Sequence, residues 1–551
     1  MSEDADTVRR ALGQEKVREK GGRRHSGPGP RPLPFRPDFR DSFRGMDVRI
    51  KTFGAALGLA TIMAVSGVDA APAGELQVAV APAEAPIPAE AMRQDFADLY
   101  AGLKQAHYDL YARTSRADYD RLFASMDAEI TGPMSRAEAA AFFQRFMAFG
   151  HIAHARVDAA SEAYGAYRQA GGRAFPLDVR IRDERLFVAL NGSGSDRIAP
   201  GDEILSIDGI PTADWFARAS TLMSADTPYM LGTMMESGFR RLLWSQLGDV
   251  SGFDLVLKRG EGAPFPVTVA ALSPADLTAA QAGQPPRLDL SWTAREAKML
   301  GDGVAYLRPG PTYNVEAQTE ATAYDNTAFK AFVDKAFEDF LNAGATDLIL
   351  DLRDNPGGDN SFSDLLLAWF ATRPFRFTSS FTIRVSDQTT ASNAARLTVA
   401  GNDPTGISAA MARAYAGATP GTAIDFPIPM VEPRTGQRFT GRVFALINRR
   451  SYSNTVAMAA TLQDYGFAVL MGEETSDLAT TYGAMETFTL PRTGLVVGYP
   501  KAFIVRPDGD RAARGVAPDI VIETPILEGP DDPVLEQALA RVKASRGPIR
   551  P

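Results

Sequence analysis

RVFALINRRSYSNTVAMAATLQDYG, residues 442–466, and DLILDLRDNPGGDNSFSDLLLAWF, residues 347–370, decide how this chain is read. Each begins as a short apolar run, passes through polar turn residues and continues into a stretch with helical character. That is the signature of a buried strand feeding a helix. In open α/β sheets, ligands collect at the carboxyl ends of such strands. One turn offers the paired glycines Gly357 and Gly358, whose backbone can come close to a ligand. The other offers Ser451 and Ser453 at the start of a helix.

The same α/β pattern extends on both sides. GVAYLRPG from Gly303 reads as a strand, and Asn326 or Thr327 caps a helix. Its Phe329, Phe332, Val333, Ala336, Phe337 and Phe340 form a core-facing stripe, and Gly344 ends it. Phe467–Met471 supplies a further strand. Residues 300–525 are thus expected to be an α/β core. Within it, residues 372–440 show no clear period, which points to a lid, binding loops or an inserted subdomain. Upstream, residues 92–171 read as a helical domain. There Phe96, Leu99, Leu103 and His107 share one face, and Ser135 with Glu138 makes a capping box. Residues 172–272 carry short strands around one helical stretch, Asp214 to Trp244, so a small β-rich domain is expected. Residues 273–299 read as a linker and 526–551 as a C-terminal tail.

With 551 residues the chain is too long for one core. Its net charge of −9 is split: residues 1–70 hold 13 Lys/Arg against 9 Asp/Glu, a net of +4, leaving about −13 on the remainder. An acidic body argues against nucleic acid as the partner. With no cysteine, a thiol nucleophile, a disulfide framework and a thiolate metal site are all excluded. From Met46 the sequence MDVRIKTFGAALGLATIMAVSGVDA gives a charged start, an apolar run and small residues. This predicts a signal peptide over 46–70, cleaved after Ala70 or Ala73, and export to a periplasm or the medium. Residues 1–45 are expected to be disordered or untranslated and 71–91 a linker. No span is expected after signal cleavage.

A serine at a helix start is ordinarily only a cap, and NPGG alone is a turn. A nucleophile also needs a base and donors for a developing oxyanion. The N–H groups of Gly357 or Gly358, and of Asn454, sit at two helix starts, where negative charge is favoured. The pairing of the two turns is what points to hydrolysis.

The quoted segments resemble those of the tail-specific, or carboxyl-terminal processing, serine proteases and their tricorn-type relatives. DLRDNPGG is similar to the family's Asp-Leu-Arg-x-Asn-x-Gly-Gly loop, and residues 447–477 to its nucleophile segment with a Gly-Glu-x-Thr turn at Gly472–Thr475. IAPGDEILSIDG resembles the core of the family's PDZ domain, and Arg514–Ile520 its closing Gly-Val-x-Pro-Asp. The resemblance implies ClpP/crotonase-like βα units in the core, behind an N-terminal helical domain and a PDZ-like β-rich domain. It implies a peptide or protein substrate, no cofactor and no metal, and leaves oligomeric state open. The nucleophile falls on Ser453, with Ser451 structural. A peptide end is expected near Phe175, Pro176 and Leu177.

One departure stands out. The position of the processing members' lysine base is Leu478, and no lysine lies between Arg450 and Lys501. Tricorn-type relatives supply a histidine from just before the PDZ domain, and FGHIAHARV at Phe149–Val157 is similar to that segment. His154 is therefore the expected base, with His151 second; H-x-x-H without a glutamate pattern is a poor metal signature. Ala512 occupies the place of the acid that orients the base and Asp510 is a weak substitute, so the third member stays open. Those gaps keep two rivals open: a binding protein that does not cut, and another acyl hydrolase or ligand carrier on the same scaffold.

Overall fold

The computed structural model describes residues 85–546 except 158, 285, 319–321, 400–402 and 528. The expected disordered start, the signal peptide, most of the 71–91 linker and the last five residues lie outside the described residues. The fold is mixed α/β, built from three sheets.

Four helices lead: α1 (Ala89–Ala106), α2 (Arg116–Glu129), α3 (Arg136–Ala148) and α4 (Ala159–Gln169). The Ser135 hydroxyl accepts the Glu138 N–H, and the Glu138 carboxylate accepts the Ser135 N–H at 2.8 Å, so the capping box forms at the start of α3. Phe96, Leu99, Leu103 and His107 are buried. Next come β1 (Leu177–Arg182), β2 (Arg185–Asn191), β3 (Glu203–Ile207), β4 (Ile210–Pro211), α5 (Thr212–Ser220), α6 (Pro228–Leu247), β5 (Gly252–Lys258) and β6 (Phe265–Ala270). They make an antiparallel sheet in the order β1-β2-β3-β5-β6, with β4 paired to β3. The single helical stretch expected there is two helices, broken where Thr227 caps α6. The expected linker carries structure of its own, α7 (Pro274–Ala282) and β7 (Glu296–Met299).

The body follows with β8 (Val304–Arg308), α8 (Thr327–Asn342), β9 (Asp347–Asp351), α9 (Asn360–Leu367), β10 (Ser380–Arg384), α10 (Asp387–Val399), α11 (Ile407–Ala416), β11 (Ala423–Asp425), β12 (Arg442–Ile447), α12 (Asn454–Asp464) and β13 (Val469–Gly472). It closes with β14 (Thr481–Thr489), β15 (Val496–Val505), β16 (Ile520–Val521) and α13 (Pro533–Ala544). The central sheet runs β16-β13-β12-β9-β8-β7, parallel except for β7. β8 and β9 are buried along their whole length and β12 almost so, which is why they read as unbroken apolar runs. On one face, the α8 stripe packs with Leu348, Leu350, Leu462 and Trp369.

The expected tail is instead partly a core helix. Val534, Ala538 and Val542 of α13 are buried against Val304, Ile349 and Phe444 on the other face. Residues 372–440 fold as β10, α10, α11 and β11, in a sheet ordered β11-β10-β15-β14 with its own apolar cluster. The long β14–β15 hairpin also carries Leu490, Leu495, Val497 and Tyr499 into the core of the leading helices. The front end and the body therefore share a core.

Candidate active site

β9 and β12 are adjacent and parallel, so the two turns that follow them emerge side by side. They are tied together: the Tyr452 N–H donates to Asn355 O at 3.0 Å, and the Asn448 amide donates to Asp354 Oδ1 at 2.6 Å. Gly357 needs its positive φ of 86° and its bare Cα. A Cβ there would sit 2.5 Å from Tyr452 O and 3.1 Å from Ser453 Cβ. Gly358, at φ 141°, lies against Thr312, whose N–H and C=O bond to Gly357 O and the Asp359 N–H.

Ser453 stands at the boundary between the β12 turn and α12 with φ 54° and ψ −121°. Few L-residues adopt that region, and a serine on a tight strand-to-helix turn is how a hydroxyl is pushed out of the backbone toward a ligand. Its side chain does not cap the helix. Ser451 is spent structurally, donating to Leu352 O at 2.8 Å and accepting the Asn448 N–H.

The expected oxyanion donors are sorted by their partners. The Gly357 N–H is taken by Asn355 Oδ1 at 3.0 Å, an oxygen that also accepts the Thr455 hydroxyl. Among the described residues nothing accepts the N–H of Gly358 or of Asn454. Two unpaired backbone donors therefore remain beside Ser453, at the starts of α9 and α12.

His154 arrives from the front end. Its ring stacks on Tyr452, the residue before Ser453, with centroids 5.7 Å apart and planes 21° from parallel. Its neighbour Ala153 and Tyr452 belong to one apolar cluster with the β-rich domain. The strand-like segment after it pairs with the hairpin, Arg156 exchanging backbone bonds with Gly498 at 3.1 and 2.8 Å. Burial pulls His154 down to about 4; Arg156 adds to this and a hydrogen bond to the Tyr482 backbone opposes it. The imidazole is thus neutral at pH 7, as a proton acceptor must be. No hydrogen bond joins it to the Ser453 hydroxyl, and its Nδ1 is buried without a partner. His151 is exposed, at φ 51°. Asp510 does not reach His154: it accepts the Ala512 N–H at 2.9 Å and pairs with Arg514 at 2.7 Å, which hold it below its usual range.

The residues expected to meet a peptide end, Phe175, Pro176 and Leu177, are buried in the β-rich core, Phe175 edge-on to Phe239 and Phe253. They lead into β1, an edge strand facing α6. Side chains already bond its backbone. Arg240 takes Phe175 O at 2.9 Å, Glu236 takes the Ile181 N–H at 2.7 Å, and Arg449 takes Ile181 O at 2.8 Å.

Two carboxylates escaped the sequence reading. Asp477, buried just past the Gly472–Thr475 turn, accepts the Ser453 N–H at 2.6 Å and the Leu478 N–H at 2.9 Å. Asp226, in the loop before α6, accepts the Ala153 N–H at 3.3 Å and lies 2.9 Å from Arg113. The only signal for Asp477 was its place beside Leu478; nothing in the sequence marked Asp226. Among the described residues no cluster of side chains could hold a metal ion.

Residues 321–522, which hold both turns, match the family model of Peptidase family S41. The chain carries a Peptidase family S41 domain. The fold of mature CPAF is similar, with 18% identity over 78% of this chain and 93% of that one and a TM-score of 0.51. A CPAF complex with lactacystin gives 18% identity, 83% and 98% coverage and a TM-score of 0.51. A putative peptidase from Parabacteroides merdae matches at 13% identity over 82% of this chain and 96% of that one, with a TM-score of 0.40. No curated protein matches the chain. The S41 match begins at residue 321, so it takes in Ser453 and both glycines but neither His154 nor the β-rich sheet.

Proposed function

We propose that this chain is an exported peptidase that cleaves peptides or exposed protein tails through Ser453, with His154 as the base. Ser453 attacks the scissile carbonyl while His154 accepts its proton and returns it to the leaving amine. The N–H groups of Gly358 and Asn454 receive the oxyanion; losing one such donor costs about 3 kcal/mol of barrier in comparable sites. Water then releases the acyl-enzyme. The observation that carries this reading is the neutral, buried His154 stacked beside the strained Ser453 turn.

The β-rich sheet with α6 beside its edge strand supports a PDZ-like role, in which a substrate tail adds to β1 as a further strand. Such a tail has to displace Glu236 and Arg449 from the β1 backbone, and Arg240 from Phe175 O just before it. Export rests on the apolar run after Met46; amino-terminal sequencing of the mature protein tests it, with a start at Ala71 or Gly74 expected and a start at Met1 contradicting it.

A second reading, a binding protein of the same fold that does not cut, is favoured by one observation: His154 Nδ1 meets no acid. A fluorophosphonate probe separates the two. The peptidase reading expects covalent labelling at Ser453, abolished by Ser453→Ala; an unlabelled, folded protein that still binds peptides supports the second.

A further inference from the structure

Ser453 and His154 belong to segments about three hundred residues apart, and each is held by a buried carboxylate. Asp477 grips the nucleophile turn. Its two oxygens accept the N–H groups of Ser453 and Leu478, and the Thr475 hydroxyl fixes its own backbone carbonyl at 2.8 Å. Asp226 grips the other segment. It accepts the N–H of Ala153, next to His154, and is clamped by Arg113, which also bonds Asp226 O and, at 2.7 Å, His151 O.

We infer that Asp226 and Asp477 are a pair of positioning residues that set the His154 segment and the Ser453 turn against each other, and that Asp477 must be ionised for the site to be in order. This rests on the peptidase reading above for its effect on rate, though not for its chemistry. The charged group acting on Asp477 is Asp226, which is itself paired with Arg113 at 2.9 Å. With both carboxyls ionised, two negative charges lie away from water and only Asp226 has a guanidinium partner, so one proton is bound readily. Asp226 keeps Arg113, and the proton falls to Asp477. Burial, then the Asp226 charge, pushes Asp477 up to about 7; burial pushes Asp226 up to about 6 against the pull of Arg113. An ionised carboxylate is the stronger acceptor for two N–H donors, and it is what holds Ser453 at φ 54°. A protonated Asp477 relaxes that grip. The acid limb of the reaction therefore reports the carboxylate pair, above and apart from the lower-lying His154.

The test uses the full chain, following fluorophosphonate labelling of Ser453 from pH 4.5 to 9, together with the infrared band of protonated carboxyls over the same range. In the wild type both titrate together near neutral pH. Asp226→Asn keeps an acceptor for the Ala153 N–H but removes a charge, so both transitions move to lower pH. Asp477→Asn removes one component of the band, leaving those of Asp226 and Asp364, abolishes that limb and slows labelling on the order of 10²-fold, as displaced reacting groups do; Asp477→Glu regains part of the rate. A limb and a band unmoved by Asp226→Asn overturn the proposal, as does wild-type labelling in Asp477→Asn. If no variant labels but the band titrates and shifts with Asp226→Asn, the paired carboxylates stand and the peptidase reading falls. Should Asp477→Asn fail to fold, Asp226→Asn alone decides.

Discussion

At the residue scale, the positions proposed to carry chemistry are those whose local geometry is costly. Ser453 occupies a sparsely populated backbone region that costs an L-residue about 1–3 kcal/mol, and Gly357 is pressed against the same turn. Gly357→Ala is expected to lose labelling at Ser453 and to destabilise the protein by about 2–4 kcal/mol from φ strain and overlap with Tyr452 O, read from denaturant unfolding. An alanine with wild-type stability would show that the turn yields freely. His107 makes a cleaner pH test. Burial, with Arg384 nearby, lowers it to about 3 from 6.5. Below pH 6.5 the unfolded chain binds a proton that the folded one refuses, so this contribution to stability is lost as pH falls toward 3. The melting-temperature difference between wild type and His107→Leu should therefore shift in favour of the variant between pH 7 and 4; a constant difference would contradict the neutral assignment. Ser453, Gly358 and His154 could be proposed from the sequence because their residue types sit in a recognisable order. Asp226 and Asp477 were not, because a carboxylate in a loop looks solvated until tertiary packing removes the water.

At the element scale, legibility followed burial on both faces. β8, β9 and β12 were readable as apolar runs, and α8 as a stripe, because nothing in their environment contradicts the pattern. The β14–β15 hairpin mixes buried and half-exposed positions and serves two cores, so no simple alternation marks it. α13 was read as a tail although Val534, Leu535, Ala538, Leu539 and Val542 recur at helical spacing; Val534, Ala538 and Val542 are buried, with Leu535 and Leu539 partly so. The three buried ones cover one face of the central sheet, and Asp532 at its start bonds Arg353 with both oxygens, at 2.9 and 2.6 Å. Val542→Ala should cost about 1–3 kcal/mol, measured by urea unfolding; a loss under about 0.3 kcal/mol would mean that α13 frays independently of the sheet. The capping box predicts a smaller effect. Ser135→Ala should cost about 1 kcal/mol.

At the scale of the whole molecule, the site exists only because the chain returns on itself. The leading helices share a core with the β14–β15 hairpin, and Ala153 and Tyr452 share one with the β-rich sheet. His154 is thereby held between hairpin and nucleophile turn rather than by its own domain. Sequence order could place the histidine before the β-rich segment, but only the packed molecule brings its ring onto Tyr452, the residue before Ser453. The most direct measurement is the labelling rate of Ser453 in folded His154→Ala, with and without added imidazole. A base of this kind contributes about 10²–10⁴-fold, so the rate should fall by that order and recover in part when imidazole enters the vacated space, with no recovery in Ser453→Ala. Labelling of His154→Ala at the wild-type rate would contradict the account.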